Sequence, residues 1–215
     1  MKILIIEKDR EFLYSFQRLL KKEDNEVLVA FDGVQGLEII MNENVDMVIS
    51  GNDVPRISVE SIAEKAKNKR KSTIFIVTVE SKSEFSEKLL NNRYFDAFIR
   101  LPFTPNDLFK LMEDIKKAVL KEATVKNDLI FDFSYLYLVN GEIFCKMTVY
   151  EMLILFELFE KKPFLKSKIP KIIGKNSLSE DYDDIYIKSL NSKLKLLKYR
   201  KKIIVDNNVY EVTDD

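Results

Sequence analysis

Apolar positions in the first half of the chain switch back and forth between two periods. Residues 3–6 form an unbroken apolar run, as expected of a strand covered on both faces, and Phe12, Phe16 and Leu19 then recur at helical spacing. The switch repeats along the chain. Residues 27–30 read as extended before a helical stripe of Val34, Leu37, Ile40 and Met41, and 47–49 precede Ile62, Ala63 and Ala66. Likewise 73–78 precede Phe85, Leu89 and Leu90, and 97–99 precede Leu108, Leu111, Ile115 and Val119. Five strand-then-helix units predict a doubly wound α/β domain over residues 1–120, with a parallel five-stranded sheet and helices on both faces.

After Leu120 the rhythm changes. A polar stretch, 121–128, supplies a linker at 121–127, and short strands are predicted at 129–133, 135–139 and 143–147. Asn140-Gly141 between the last two predicts a type I′ hairpin, because both residues tolerate positive φ. Thr148 and Glu151 have capping-box spacing ahead of the apolar run 152–159, so a helix starts at Thr148. A short helix around 169–173, a longer one over about 184–198 and an extended pair, 203–205 and 209–212, complete a second, α+β domain over 128–215.

Composition narrows the chemistry. The chain has no histidine and one cysteine, Cys145, which removes the commonest general base, the commonest zinc ligand and any intramolecular disulfide. Enzymatic activity and a resident cofactor or metal are therefore not expected. No apolar run approaches the length of a membrane span or a signal-peptide core, so a cytoplasmic protein without a membrane partner is expected. Lys plus Arg equals Asp plus Glu at 35 each, so any nucleic-acid face must be local rather than global.

Several segments carry more than fold information. Residues 45–55 read Val-Asp-Met-Val-Ile-Ser-Gly-Asn-Asp-Val-Pro, running from a strand into a loop; Asp32-Gly33, Ile76-Val77-Thr78 and Leu101-Pro102-Phe103 stand at the ends of other strands. Residues 147–155 open a helix of the second domain, and Ile185, Ile187, Leu190 and Leu194 set the apolar spacing of a later one. In this order the segments resemble the OmpR/PhoB-type response regulators of bacterial two-component signalling, over the whole chain. The resemblance implies a receiver-like domain followed by a winged-helix DNA-binding domain.

The departures are informative. Phosphotransfer in the family needs an acceptor Asp, an acidic pair for Mg²⁺, a Thr or Ser, and a Lys that pairs with the phosphoryl group. Counting from Asp46 and from Pro55 puts Gly51 at the acceptor position, Glu7 and Lys8 at the acidic pair, Thr78 at the hydroxyl and Leu101 at the lysine. A Lys ammonium has no lone pair for a metal and repels it. The site reads as degenerate, unless Asp9 or Asp53 replaces a missing carboxylate. Lys8 either pairs with Glu7, Asp9 or Asp53 in the vacated cation position or is solvated at a loop edge.

In the second domain the resemblance places Tyr186, Lys188, Ser189 and Asn191 on the DNA-facing side of the recognition helix, with Lys193 and Lys195 nearby. The family usually has more arginine here, which weakens bidentate guanine readout at Ser189 and Asn191. Lys195, Lys198, Arg200, Lys201 and Lys202 form a basic run suited to phosphates or to a solvated helix end. The acidic segment 177–184 stands where the family is approached by RNA polymerase, or merely keeps the loop solvated. Asp96 and Lys110 match members of the charged receiver face through which the family forms homodimers. The implied function is a phosphorylation-independent transcriptional regulator that binds double-stranded DNA as a dimer. The alternative is an interaction module that keeps the winged-helix fold but binds DNA weakly.

Overall fold

The computed structural model describes residues 1–21, 24–80, 87–160, 164–173 and 182–214. The elements in chain order begin β1 (Lys2–Ile6), α1 (Arg10–Lys21), β2 (Glu26–Ala30), α2 (Gly33–Asn42), β3 (Met47–Gly51), α3 (Val59–Lys69), β4 (Ile74–Val79), α4 (Glu87–Leu90), β5 (Ala97–Arg100) and α5 (Pro105–Val119). Then come β6 (Thr124–Lys126), β7 (Leu129–Asp132), β8 (Tyr137–Asn140), β9 (Ile143–Lys146), α6 (Val149–Glu160), β10 (Phe164–Leu165), α7 (Ile169–Ile173), α8 (Tyr182–Leu196), β11 (Lys201–Asp206) and β12 (Val209–Asp214). Phe85 of the fourth predicted helix and residues 177–181 of the acidic segment lie outside the described residues.

One compact unit comprises Met1–Ser81 with Tyr94–Leu101. Its sheet is the expected five-stranded parallel one, in the order β2-β1-β3-β4-β5. The unbroken apolar run of β1 is explained by its central position: Ile3, Leu4, Ile5 and Ile6 are all at most 1% exposed. Each helix turns a stripe inward: Leu13, Phe16 and Leu20 from α1, Leu37 and Ile40 from α2, Val59, Ile62, Ala63 and Ala66 from α3. Asp32 starts α2 by accepting the Val34 and Gln35 N–H groups at 2.9 and 3.0 Å. Because β2 and β3 lie on opposite sides of β1, the chain reverses its winding between β1 and β3. The carboxyl ends of those two strands flank the crevice where ligands of open α/β sheets bind.

The second unit comprises Lys82–Arg93 and Pro102–Asp215. It thus groups α4 and α5 with the C-terminal elements, a partition that periodicity alone does not contain. Its first sheet has four antiparallel strands in the order β6-β7-β8-β9, one more than the three apolar segments predict. The extra strand, β6, sits in the polar stretch assigned to a linker, and its one apolar residue, Val125, is exposed, so no burial pattern announces it. Asn127 and Asp128 turn β6 into β7 with φ of 47° and 65°, the paired positive values of a type I′ turn. Asn207 and Asn208 do the same between β11 and β12, at 46° and 63°.

The hairpin of β8 and β9 corrects the sequence reading by one residue. Asn140 pairs with Ile143 inside the ladder, leaving Gly141 and Glu142 as the turn, and of these Gly141 alone has positive φ, 59°. That is the type II′ pattern with glycine first. Asn140 is thereby free to use its amide elsewhere, donating to the Leu197 carbonyl at 2.9 Å. Helix α6 is apolar around most of its circumference and buries Val149, Tyr150, Met152, Ile154, Leu155 and Leu158, as befits the central helix of its unit. Phe131 of β7 and Phe133, just beyond that strand, meet Phe156 edge-on, at 5.5 and 5.3 Å between ring centres.

Candidate functional site

The first candidate site lies in the receiver-like unit at the carboxyl ends of the strands. Glu7 follows β1, Gly51 ends β3 opposite Thr78 of β4, and Leu101 follows β5. Glu7 is 8% exposed, and its Oε1 accepts the Asp9 N–H at 3.0 Å. Its Oε2 would lie 3.1 Å from a Cβ on Gly51. The Glu7 carboxylate therefore stands against the space that a side chain at residue 51 would enter. Gly51 itself offers no side-chain nucleophile. Asp9 is committed to the start of α1, its Oδ1 accepting the Glu11 and Phe12 N–H groups at 2.9 and 3.1 Å.

Of the three partners open to Lys8, the structure selects Asp53, with Nζ 2.6 Å from Oδ2. The Asp53 carboxylate holds the Lys8 ammonium above its ordinary pKa, first through the hydrogen bond and then through its charge, with Glu80 and Glu7 adding smaller contributions. Thr78 is buried, and its hydroxyl makes only a long, 3.5 Å contact to the Ser50 carbonyl. Leu101 is half-buried and donates its backbone N–H to Val79 at 2.8 Å. Beside the pocket Arg56, which the sequence does not single out, reaches Asp32 at 3.4 Å.

The second candidate site is α8. Lys188 and Lys195 are exposed there, on one strip of the helix with half-buried Ser192. The other residues expected to face DNA do not. Tyr186 is 3% exposed, Ser189 0% and Lys193 3%, which corrects their assignment to the groove-facing side. The physical reason is a buried carboxylate. Glu151 of α6, 0% exposed, accepts the Ser189 hydroxyl at 2.6 Å and the Lys193 ammonium at 2.7 and 2.8 Å. It also accepts the Thr148 N–H and hydroxyl at 2.8 and 2.9 Å, forming the capping box that its spacing predicts. A buried carboxylate must find such partners, and α8 supplies them. The Lys193 ammonium also donates to the Leu90 carbonyl of α4 at 3.0 Å.

Asn191 is half-buried as well, its amide bound to the backbone of β11 rather than presented to a groove. Of the basic run, Lys195, Lys198, Arg200 and Lys202 are exposed, with Arg200 3.9 Å from Asp128. The paired dimer charges also change role. Asp96 is 3% exposed, its Oδ2 accepting the Phe75 N–H at 2.8 Å and pairing with the Lys67 ammonium. Lys110 binds Asp114 at 2.6 Å and the Ile172 carbonyl at 2.7 Å. Both serve their own units. No helix among the described residues is long and apolar enough to cross a membrane.

These features define a receiver-like fold joined to a second, α+β unit, and comparison with known proteins gives the class. The profile of the response regulator receiver domain matches residues 3–113, and the chain belongs to that family. The response regulator ArlR of Staphylococcus aureus is 27% identical over 201 residues, covering 90% of each chain. A probable transcriptional regulator, ycf29, of Pyropia yezoensis is 26% identical over 132 residues, 59% of this chain and 58% of its own length. Among solved structures, a RitR mutant has the same fold over 100% of this chain and 99% of its own, with a TM-score of 0.68 at 19% identity. DrrB of Thermotoga maritima, an OmpR/PhoB homologue, aligns over 99% of this chain and 98% of its own, with a TM-score of 0.50 at 19% identity.

Proposed function

We propose that the chain is a DNA-binding transcriptional regulator of OmpR/PhoB type whose receiver works without phosphorylation, in the cytoplasm and without a cofactor. The observation that carries the second half of this reading is the pocket itself. Gly51 has no acceptor, the Glu7 carboxylate occupies the adjoining space, and Lys8 is already neutralised by Asp53. A divalent cation entering there meets an ammonium where the family's metal would sit, and a phosphoryl group has nothing to bond to. The full-length likeness to ArlR and the exposed Lys188 and Lys195 of α8 support DNA binding.

The test has two arms. Acetyl phosphate with Mg²⁺ is expected to leave the intact mass unchanged, and a phosphate adduct would overturn phosphorylation independence. Binding to genomic fragments is expected to weaken steeply with salt, because phosphate contacts release counterions. Absence of salt-sensitive binding would favour the interaction-module reading, which the burial of Tyr186, Ser189 and Lys193 supports by leaving α8 a narrow polar strip. Homodimerisation belongs to the same proposal. With Asp96 and Lys110 engaged within their own units, it must rest on other contacts.

A further inference from the structure

Asn191 and Ile203 are joined by two hydrogen bonds. The Asn191 Nδ2 donates to the Ile203 carbonyl at 2.8 Å, and the Ile203 N–H donates to Oδ1 at 2.7 Å. Strand β11 is the edge of its sheet, whose order is β10-β12-β11, so one side of its backbone has no neighbouring strand among the described residues. A carboxamide carries a donor and an acceptor spaced like those of a peptide group. Asn191 therefore takes the place of a neighbouring strand at this one residue. Ile203 is 3% exposed, so its N–H and C=O would be costly to leave unmade.

The bond joins two basic elements. Helix α8 exposes Lys188 and Lys195, and β11 opens with half-buried Lys201 and exposed Lys202, immediately before Ile203. We propose that Asn191 is a positioning residue for duplex binding. By pinning β11 to α8 it sets the spacing of the two lysine pairs, so that helix and hairpin meet DNA phosphates together. Without the pin the hairpin would have to be ordered at each encounter, and that entropy would be subtracted from affinity. Asn191 thus acts on DNA through the strand rather than by reading a base. The inference rests on the DNA-binding reading above.

A double-mutant cycle in the full chain tests it, with Asn191→Ala and the pair Lys201→Ala/Lys202→Ala measured on one genomic fragment across a salt series. Asn191→Ala is expected to melt cooperatively, to bind about tenfold more weakly and to lower the salt slope by about two, the loss of two phosphate contacts. The lysine pair is expected to do the same in the wild-type background and to add little once Asn191 is gone. A merely structural role would leave the slope unchanged and the effects additive, which would overturn the proposal. So would wild-type binding by Asn191→Ala, or an unchanged slope for the lysine pair, a readout that stands even if Asn191→Ala fails to fold. A wild-type chain without salt-sensitive binding would instead refute DNA binding itself.

Discussion

At residue 51 glycine is there for space and charge, not for backbone freedom. Among the described residues Gly141 is the one glycine with positive φ, and Gly51 is not among the positive-φ residues, so residue 51 can accept a side chain conformationally. Gly51→Asp should nevertheless destabilise the chain by about 1–3 kcal/mol, because its Cβ is tight against Glu7 and its carboxylate adds a like charge. Glu7→Gln in the same chain should recover part of the loss. Urea denaturation measures both, and a Gly51→Asp chain as stable as wild type would show that Glu7 does not hold this space. Cys145 is decided by burial, which raises its thiol pKa from 9.0 to about 11. Native alkylation at pH 8 should then run roughly a hundredfold slower than for a free thiol. Since the folded state holds the proton more tightly, this group's contribution to stability is intact below pH 9.0 and is lost as pH rises toward about 11. A fast, pH-independent reaction with a thiol reagent would contradict it.

Among the elements, α8 separates what a helical pattern can say from what it cannot. Its apolar positions are legible: Ile187, Leu190 and Leu194 are buried as their spacing requires. Its polar positions are not, because Ser189 and Lys193 look solvent-facing until a buried acid stands opposite them. Only Thr148-x-x-Glu151 hinted at that acid, and it announced a helix start rather than a partner for another helix. Lys193→Met should therefore cost about 3–5 kcal/mol of stability by leaving Glu151 without its cation. Lys188→Ala, on the exposed strip, should leave stability within about 0.5 kcal/mol and reduce the salt slope for DNA by about one. Thermal melts beside binding curves separate the two, and a Lys193→Met chain with wild-type stability but impaired DNA binding would restore it to the groove.

For the whole molecule, the same distinction applies to the charges expected to join two copies. Asp96 lies inside the receiver-like unit, so Asp96→Ala withdraws a carboxylate from the Lys67 ammonium and the Phe75 N–H. The expected outcome is a loss of about 3 kcal/mol or more in stability, with no change in the sedimentation-derived oligomeric state at fixed concentration. A shift toward monomer with an unchanged melting curve would return Asp96 to an interface. The sequence by itself determined the alternation of strands and helices, the parallel sheet, the capped helix at Thr148 and the lack of a carboxylate at residue 51. Each of these is written in local spacing or in the identity of one residue. Tertiary structure alone decided that Lys8 pairs with Asp53, that Asn191 binds β11, that Lys193 answers Glu151, and that α4 and α5 group with the C-terminal elements. These pairings link positions far apart along the chain. A charged or amide side chain does not declare in sequence whether it will be solvated, and only the packing around it settles which partner compensates its burial.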